Sequence, residues 1–144
     1  MKRKSTAVWK GAGLEGQGTL SSTSGVLKNT PYSFSTRFVS EDGKAGTNPE
    51  ELIAAAHAGC FTMALSFGLS EAGYPPSELV TDAVVSIGKE DGGFAIKSVH
   101  LEITGNVPHI SEAKFLELVN VAKQNCPVSK ALAAIEITAT AKLK

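Results

Sequence analysis

From Leu52 to Leu69 the chain carries no charged side chain, and this apolar run is bracketed by unusually clear start and stop signals. Asn48 suits a helix N-cap, Pro49 the first helical position and Glu51 the third, the spacing of a capping box. At the far end Gly73 suits a left-handed cap and Pro75-Pro76 forbid continuation. The pattern predicts one helix from Pro49 to about Glu71, roughly 35 Å long at 1.5 Å per residue. A helix that long and apolar is expected to be buried on most sides.

The segments before it read as strands. "STAVWKG" and "QGTLSST" are short, while "PYSFSTRFV" alternates, with Tyr32, Phe34, Thr36 and Phe38 on one face. "GVLKNTP" looks like a turn, and "SEDGKAGTN" like a loop punctuated by Asp42-Gly43 and Gly46. After the helix, "LVTDAVVSIGKE" and "FAIKSVHLEITGNV" flank a "DGG" hairpin turn. "SEAKFLELVNVAKQN" sets Phe115, Leu118, Val119 and Ala122 at helical spacing behind a Ser111 N-cap. "CPVSKALA" restarts a short helix at Pro127, and "IEITATAKL" closes as a strand. The order βββ-α-ββ-αα-β predicts a single α+β domain over residues 1–144, an antiparallel sheet wrapped around the central helix.

Composition removes several function classes. Fourteen basic residues balance fourteen acidic ones, so no charge excess points to nucleic acid or an anionic membrane. The Leu52–Leu69 run reaches membrane-span length, but much of it is Ala, Gly, Ser, Thr and His, and no basic cluster flanks it. The "KRK" start leads into no apolar signal segment. A soluble, cytoplasmic protein is expected. In that setting two cysteines do not suggest a structural disulfide, and buried inert thiols are the plain alternative.

The candidate chemistry centres on those thiols. His57 lies three residues before Cys60, so both share a helix face and the histidine is either a base for the thiol or a packed side chain. Cys126 precedes Pro127 at a helix start, where backbone N–H groups favour a thiolate, making it locally the better candidate for a lowered pKa. Burial raises the pKa of Cys60 unless a cation comes close, and Arg37 is the candidate, its charge either reaching solvent or meeting an anion. Glu51 has capping work; Glu50 is freer, yet ten residues, about 15 Å, from Cys60 along the helix. If Glu50 serves Cys60, the helix bends or a second subunit supplies it. His100 and His109 lack ligand spacing, and no metal site is expected.

"TNPEELIAAAHAGCFTMALS", with "NCPVSKAL" downstream and "GVLKNTPYSFSTRF" upstream, resembles the OsmC (osmotically inducible protein C) family over nearly the whole chain. The resemblance implies an intertwined α+β homodimer with active sites at the subunit interface, reducing organic hydroperoxides through thiols. It implies Cys60 as the peroxidatic and Cys126 as the resolving cysteine, paired as a disulfide during turnover. Arg37 is then the thiolate-stabilising arginine and Glu50 the carboxylate that orients it, reversing the local ranking of the two thiols. An external dithiol supplies electrons, with no bound cofactor. Gly59 stands where such sequences are expected to carry Ala, and the "SEDGKAGTN" loop is slightly longer. Phe61, Met63 and Phe67 are expected in the core. Two rivals share these features: a dimeric binding protein for a lipophilic ligand, and a thiol redox sensor.

Overall fold

The structure is a computed structural model that describes residues 1–40 and 44–144; the expected Asp42-Gly43 turn lies outside the described residues. The chain divides into two compact units, residues 1–52 and 53–144.

In the first unit, β1 (Ser5–Lys10), β2 (Gln17–Ser22) and β3 (Thr30–Ser33) form an antiparallel three-stranded meander. The alternation through "PYSFSTRFV" does not continue as a strand. Ser33 ends β3 and caps a short helix, α1 (Phe34–Phe38). The Ser33 hydroxyl accepts from Thr36 N–H at 3.1 Å, and the Thr36 hydroxyl accepts from Ser33 N–H at 2.8 Å. This reciprocal box satisfies two otherwise free donors, which outweighs a strand-like side-chain pattern. Phe34 and Phe38, expected on one strand face, instead stack one helical turn apart, ring centroids 4.8 Å from each other. The Thr36 hydroxyl also donates to the Thr47 carbonyl, and Thr47 N–H donates to the Pro31 carbonyl at 3.0 Å. Gly46 permits that approach, since a Cβ there would stand 2.6 Å from the Pro31 oxygen.

The long helix α2 runs Pro49–Glu71, as its caps predict. Asn48 Oδ1 accepts from Glu51 N–H at 2.8 Å, but the Glu51 carboxylate takes the Thr47 hydroxyl, so the expected capping box is held through the preceding threonine. At the C-terminus Gly73 has φ +88°, Tyr74 N–H donates to the Leu69 carbonyl and Gly73 N–H to that of Ser70. This is the paired bonding of a Schellman cap, for which glycine avoids the steric cost of a left-handed residue.

In the second unit β4 (Glu78–Glu90) and β5 (Gly93–Asn106) form a hairpin closed by Asp91-Gly92. Helices α3 (Glu112–Asn125) and α4 (Pro127–Ala131) carry the chain back to β6 (Glu136–Leu143), which pairs parallel with β5. The single antiparallel sheet expected from the sequence is therefore two three-stranded sheets, the second of them mixed. A helical crossover returns the chain to the end where β5 began, so β6 must run parallel to it.

The core of this unit joins Phe61, Leu65 and Leu69 of α2, the inward side chains Val99, Leu101 and Ile103 of β5, and Phe115, Leu118, Val119 and Ala122 of α3. Helix α2 is not buried on most sides. Its sealed stripe is His57, Phe61, Leu65 and Leu69, four residues apart, while Met63 and Phe67 are 61% and 64% exposed on the opposite face and do not belong to the core.

Two glycines of this region separate backbone from packing effects. Gly73→Ala forces a Cβ into the left-handed region and should cost about 1–2 kcal/mol. Gly68→Ala adds a Cβ that meets nothing within 4 Å in mid-helix and should gain about 0.5–1 kcal/mol. Urea unfolding midpoints should move in opposite directions for the two variants.

Candidate active site

The chemistry-bearing side chains gather in two clusters, one in each unit. In the first, the Thr47–Pro31 and Thr36–Thr47 bonds bring the start of α2 beside α1, so that Arg37 meets Glu50 thirteen residues on. Arg37 Nη2 donates to Glu50 Oε1 at 2.6 Å, and Nε lies 3.1–3.2 Å from both carboxylate oxygens. This fork geometry fixes the guanidinium plane, which a lysine could not reproduce. Glu50 is 9% exposed, and the Arg37 guanidinium carbon sits 4.8 Å from the Phe38 ring centroid. The anion that the lone arginine needed is the glutamate left free of capping work.

The second cluster lies where α4 meets α2. Pro127 occupies the first turn of α4, and Cys126 just before it takes φ −56°, ψ 123°, the extended conformation that a following proline imposes. Cys126 is completely buried; Cys60 is half-buried. Both are free thiols, and each shifts the ionisation of the other. One helical turn before Cys60, His57 is fully buried, and its Nε2 lies 2.8 Å from Ser129 Oγ. His57 thus meets Ser129 while Cys60 meets Cys126, each pair offset by three residues on both segments. That pairing requires α4 to run antiparallel to α2.

The electrostatics distinguish the two sulfurs. Burial pushes the Cys60 thiol up, the Val128 N–H pulls against it, and the Cys126 sulfur raises it further, leaving it above the ordinary value. Burial also pushes Cys126 up, but there the Ser129 N–H, the Cys60 thiol, the Ser129 hydroxyl and the Val128 N–H together prevail and lower it. Cys126 makes no side-chain cap hydrogen bond at the start of α4, so these N–H groups favour the charged sulfur without closing a full cap. The local advantage read for Cys126 from the sequence is therefore present in the fold. Access runs the other way, since only Cys60 is open to solvent.

Sequence reasoning weighed His57 as a partner for Cys60; its hydrogen bond goes to Ser129 instead. Ser129 itself was missed. Its available signal was its place three residues after Cys126, where an N3 side chain reaches back toward its N-cap. Among the described residues no group of three or more His, Cys, Asp or Glu side chains is placed to hold a metal.

A helix-bound thiol, a second thiol at a Cys-Pro helix start, and an arginine forked onto a glutamate define a class of thiol-bearing α+β proteins, and comparison with known proteins gives the family. Residues 41–140 match the OsmC-like protein family model, and the chain belongs to that family. It is 49% identical over 142 residues to peroxiredoxin OsmC of Escherichia coli K12, covering 99% of this chain and 96% of the relative. The organic hydroperoxide resistance protein of Xanthomonas axonopodis pv. citri is 40% identical over 100 residues, covering 68% of each chain. The crystal structure of the organic hydroperoxide resistance protein OhrB of Bacillus subtilis superposes with a TM-score of 0.74 at 32% identity, covering 100% of this chain and 98% of that one.

Burial holds the His57 imidazole below its ordinary value of 6.5. The unfolded chain then binds this proton more readily than the folded one. Stability contributed by the neutral ring is complete above about pH 6.5, declines as pH falls below it, and levels off below the folded pKa. Urea midpoints measured from pH 7.5 to 5 should show a larger decline for the wild type than for His57→Gln.

Proposed function

We propose that this chain is a thiol-dependent peroxidase that reduces organic hydroperoxides to alcohols. The observation that carries the reading is the pair of interacting thiols, one open to solvent and one sealed, in a member of the OsmC family. A peroxide reaches only the open sulfur, so Cys60 is assigned the peroxidatic role and Cys126 the resolving one. Arg37, oriented by Glu50, supplies the positive charge that favours the Cys60 thiolate.

The chemistry follows from these assignments. The Cys60 thiolate attacks the terminal peroxide oxygen, the O–O bond breaks, and the departing alkoxide takes a proton as the alcohol, leaving a sulfenic acid on Cys60. The Cys126 sulfur then attacks Cys60, closing the disulfide as the S–O bond breaks and hydroxide leaves as water. An external dithiol restores both thiols by exchange, so the cycle needs no bound cofactor and suits the reducing cytoplasm.

The working form is a homodimer with its active sites at the subunit interface, residues 1–144 acting as one OsmC-like domain. Met63 and Phe67 of α2 and Val80 and Val84 of β4 leave apolar surface exposed on the single chain, which a second copy would cover.

Turnover of cumene or tert-butyl hydroperoxide with a dithiol decides among the readings. Wild type should turn over, Cys60→Ser should be inactive, and Cys126→Ser should oxidise once and stall at the sulfenic acid. No peroxide consumption by the wild type would favour a lipophilic-ligand carrier. Stoichiometric oxidation without turnover, across several reductants, would favour a sensor.

The interface is tested by mixing Cys60→Ser and Glu50→Ala subunits. If Glu50 acts across the dimer, heterodimers carry one intact site and regain activity. No recovery after confirmed subunit exchange overturns the shared site.

A further inference from the structure

The reading above gives His57 and Ser129 no work, yet they form one of the most enclosed polar contacts in the second unit. His57 is 0% and Ser129 5% exposed, and the 2.8 Å bond between them joins segments 72 residues apart. Among the described residues, His57 Nδ1 is the buried side-chain polar atom without a partner. That orphan settles the direction of the bond. With the proton on Nδ1, a buried N–H would be unsatisfied; with the proton on Nε2, only a lone pair is left bare, and under-satisfied acceptors are the cheaper fault. The Nε2–H then donates to Ser129 Oγ, and the Ser129 hydroxyl proton is free to turn elsewhere. Ser129 is the N3 residue of the helix whose N-cap is Cys126, the position from which a side chain reaches back to its cap.

We propose that His57 and Ser129 form a buried donor chain, Nε2–H to Oγ and Oγ–H to the Cys126 sulfur, that holds Cys126 ready as a thiolate and so sets the rate of disulfide closure. The inference rests on Cys126 being the resolving thiol. The Ser129 hydroxyl is among the groups that bring Cys126 below its ordinary pKa. The other titratable group in contact with Cys126 is Cys60, from α2. Lys123 of α3 and Lys130 of α4 line the shallow cavity on which Ser129 also borders.

The closing step balances without a further reactant. The Cys126 thiolate gives its electron pair to the Cys60 sulfur, the S–S bond forms, and the S–O bond breaks with its pair on the hydroxide. Cys126 is oxidised and Cys60 reduced by the same amount. The hydroxide takes from water the proton that Cys126 released on ionising. Once the charge on Cys126 is gone, the donor chain has nothing to stabilise and relaxes to a serine–histidine bond. His57 is therefore a positioning residue that acts through Ser129, and its neutral form suffices.

Single-turnover oxidation with one equivalent of cumene hydroperoxide tests this. Samples are quenched over time, the Cys60 sulfenic acid is trapped with dimedone, and the disulfide is counted by mass spectrometry from pH 5.5 to 9. Ser129→Ala should slow closure at neutral pH by about tenfold, the order expected for losing one hydrogen bond to a charged group, with sulfenic acid accumulating and the closure profile moved to higher pH. Ser129→Thr, which keeps the hydroxyl, should restore both rate and profile. His57→Leu should slow closure less than Ser129→Ala, and His57→Gln, which keeps an N–H donor, less again. Closure rates and profiles in Ser129→Ala and His57→Leu equal to wild type would overturn the donor chain, as would a Ser129→Thr variant as slow as Ser129→Ala. Cys126→Ser separates the levels. If its Cys60 sulfenic acid disappears as fast as in wild type, the resolving role fails and the chain with it; if the sulfenic acid persists, the serine and histidine variants judge the chain alone.

Discussion

The hydrogen bond between His57 and Ser129 is the contact on which the arrangement of the second unit's thiols depends. Its net worth is small, about 1 kcal/mol. The energy that closes this core comes from Phe61, Leu65 and Leu69 sealed against β5 and α3. Apolar contacts of that kind tolerate a slip or a small rotation. A buried imidazole and hydroxyl do not, because parting them leaves unsatisfied polar groups at about 1–3 kcal/mol each. The bond therefore specifies more than it stabilises. Once His57 is turned onto Ser129, Cys60 one turn later must face Cys126 one turn earlier on the antiparallel segment. The meeting of the sulfurs is a consequence of helical geometry.

That meeting creates an electrostatic conflict. Two adjacent thiols do not both ionise readily, and the second unit by itself favours the charge on Cys126, which no peroxide can reach. On the proposed reading the resolution is a cation at Cys60. The forked Arg37–Glu50 pair has the required properties: a permanently charged group whose plane is held by a nearly buried carboxylate. On that reading the two sulfurs need opposite environments at successive moments: a guanidinium for Cys60 in the first attack, and backbone N–H groups with a hydroxyl for Cys126 in the second.

What the sequence revealed follows from how local each signal is. Helix α2 was legible to the residue because Asn48, Pro49 and the Gly73–Tyr74 cap act within a single turn. The buried face of α3 and the β4–β5 hairpin were legible for the same reason. Helix α1 was not, because Phe34, Thr36 and Phe38 satisfy a strand alternation while Phe34 and Phe38 also satisfy a helical one. The Ser33–Thr36 box decided between them, and a Ser and a Thr three residues apart lack the Glu or Gln that marks a capping box in sequence. The direction of β6 depends on where a crossover ends and has no local signature. Arg37 and Glu50 were each singled out as candidates, but their contact is made by a chain reversal through Gly46 and Thr47 that periodicity does not register. For His57 the sequence offered a neighbour three residues away, and the fold gave it one 72 residues away.

Pro127 shows how much of the site a single backbone constraint carries. It lacks an N–H, so it cannot continue α3 through Cys126 without losing a helical bond, and it drives the preceding residue out of helical conformation. Cys126 consequently sits as the C-cap of one helix and the N-cap of the next, its N–H bonded to Ala122 and its carbonyl to Lys130. Both of its backbone polar groups are thereby satisfied while its side chain is swung off the helical path toward Cys60. The same missing N–H makes Val128 and Ser129 the first donors of α4, and both raise the acidity of the Cys126 sulfur. A residue other than proline would allow α3 to run on, and Ser129 would then turn with the helix away from His57. The Cys-Pro pair thus fixes the thiol's direction, its dipolar surroundings and the serine beside it through one restricted dihedral angle.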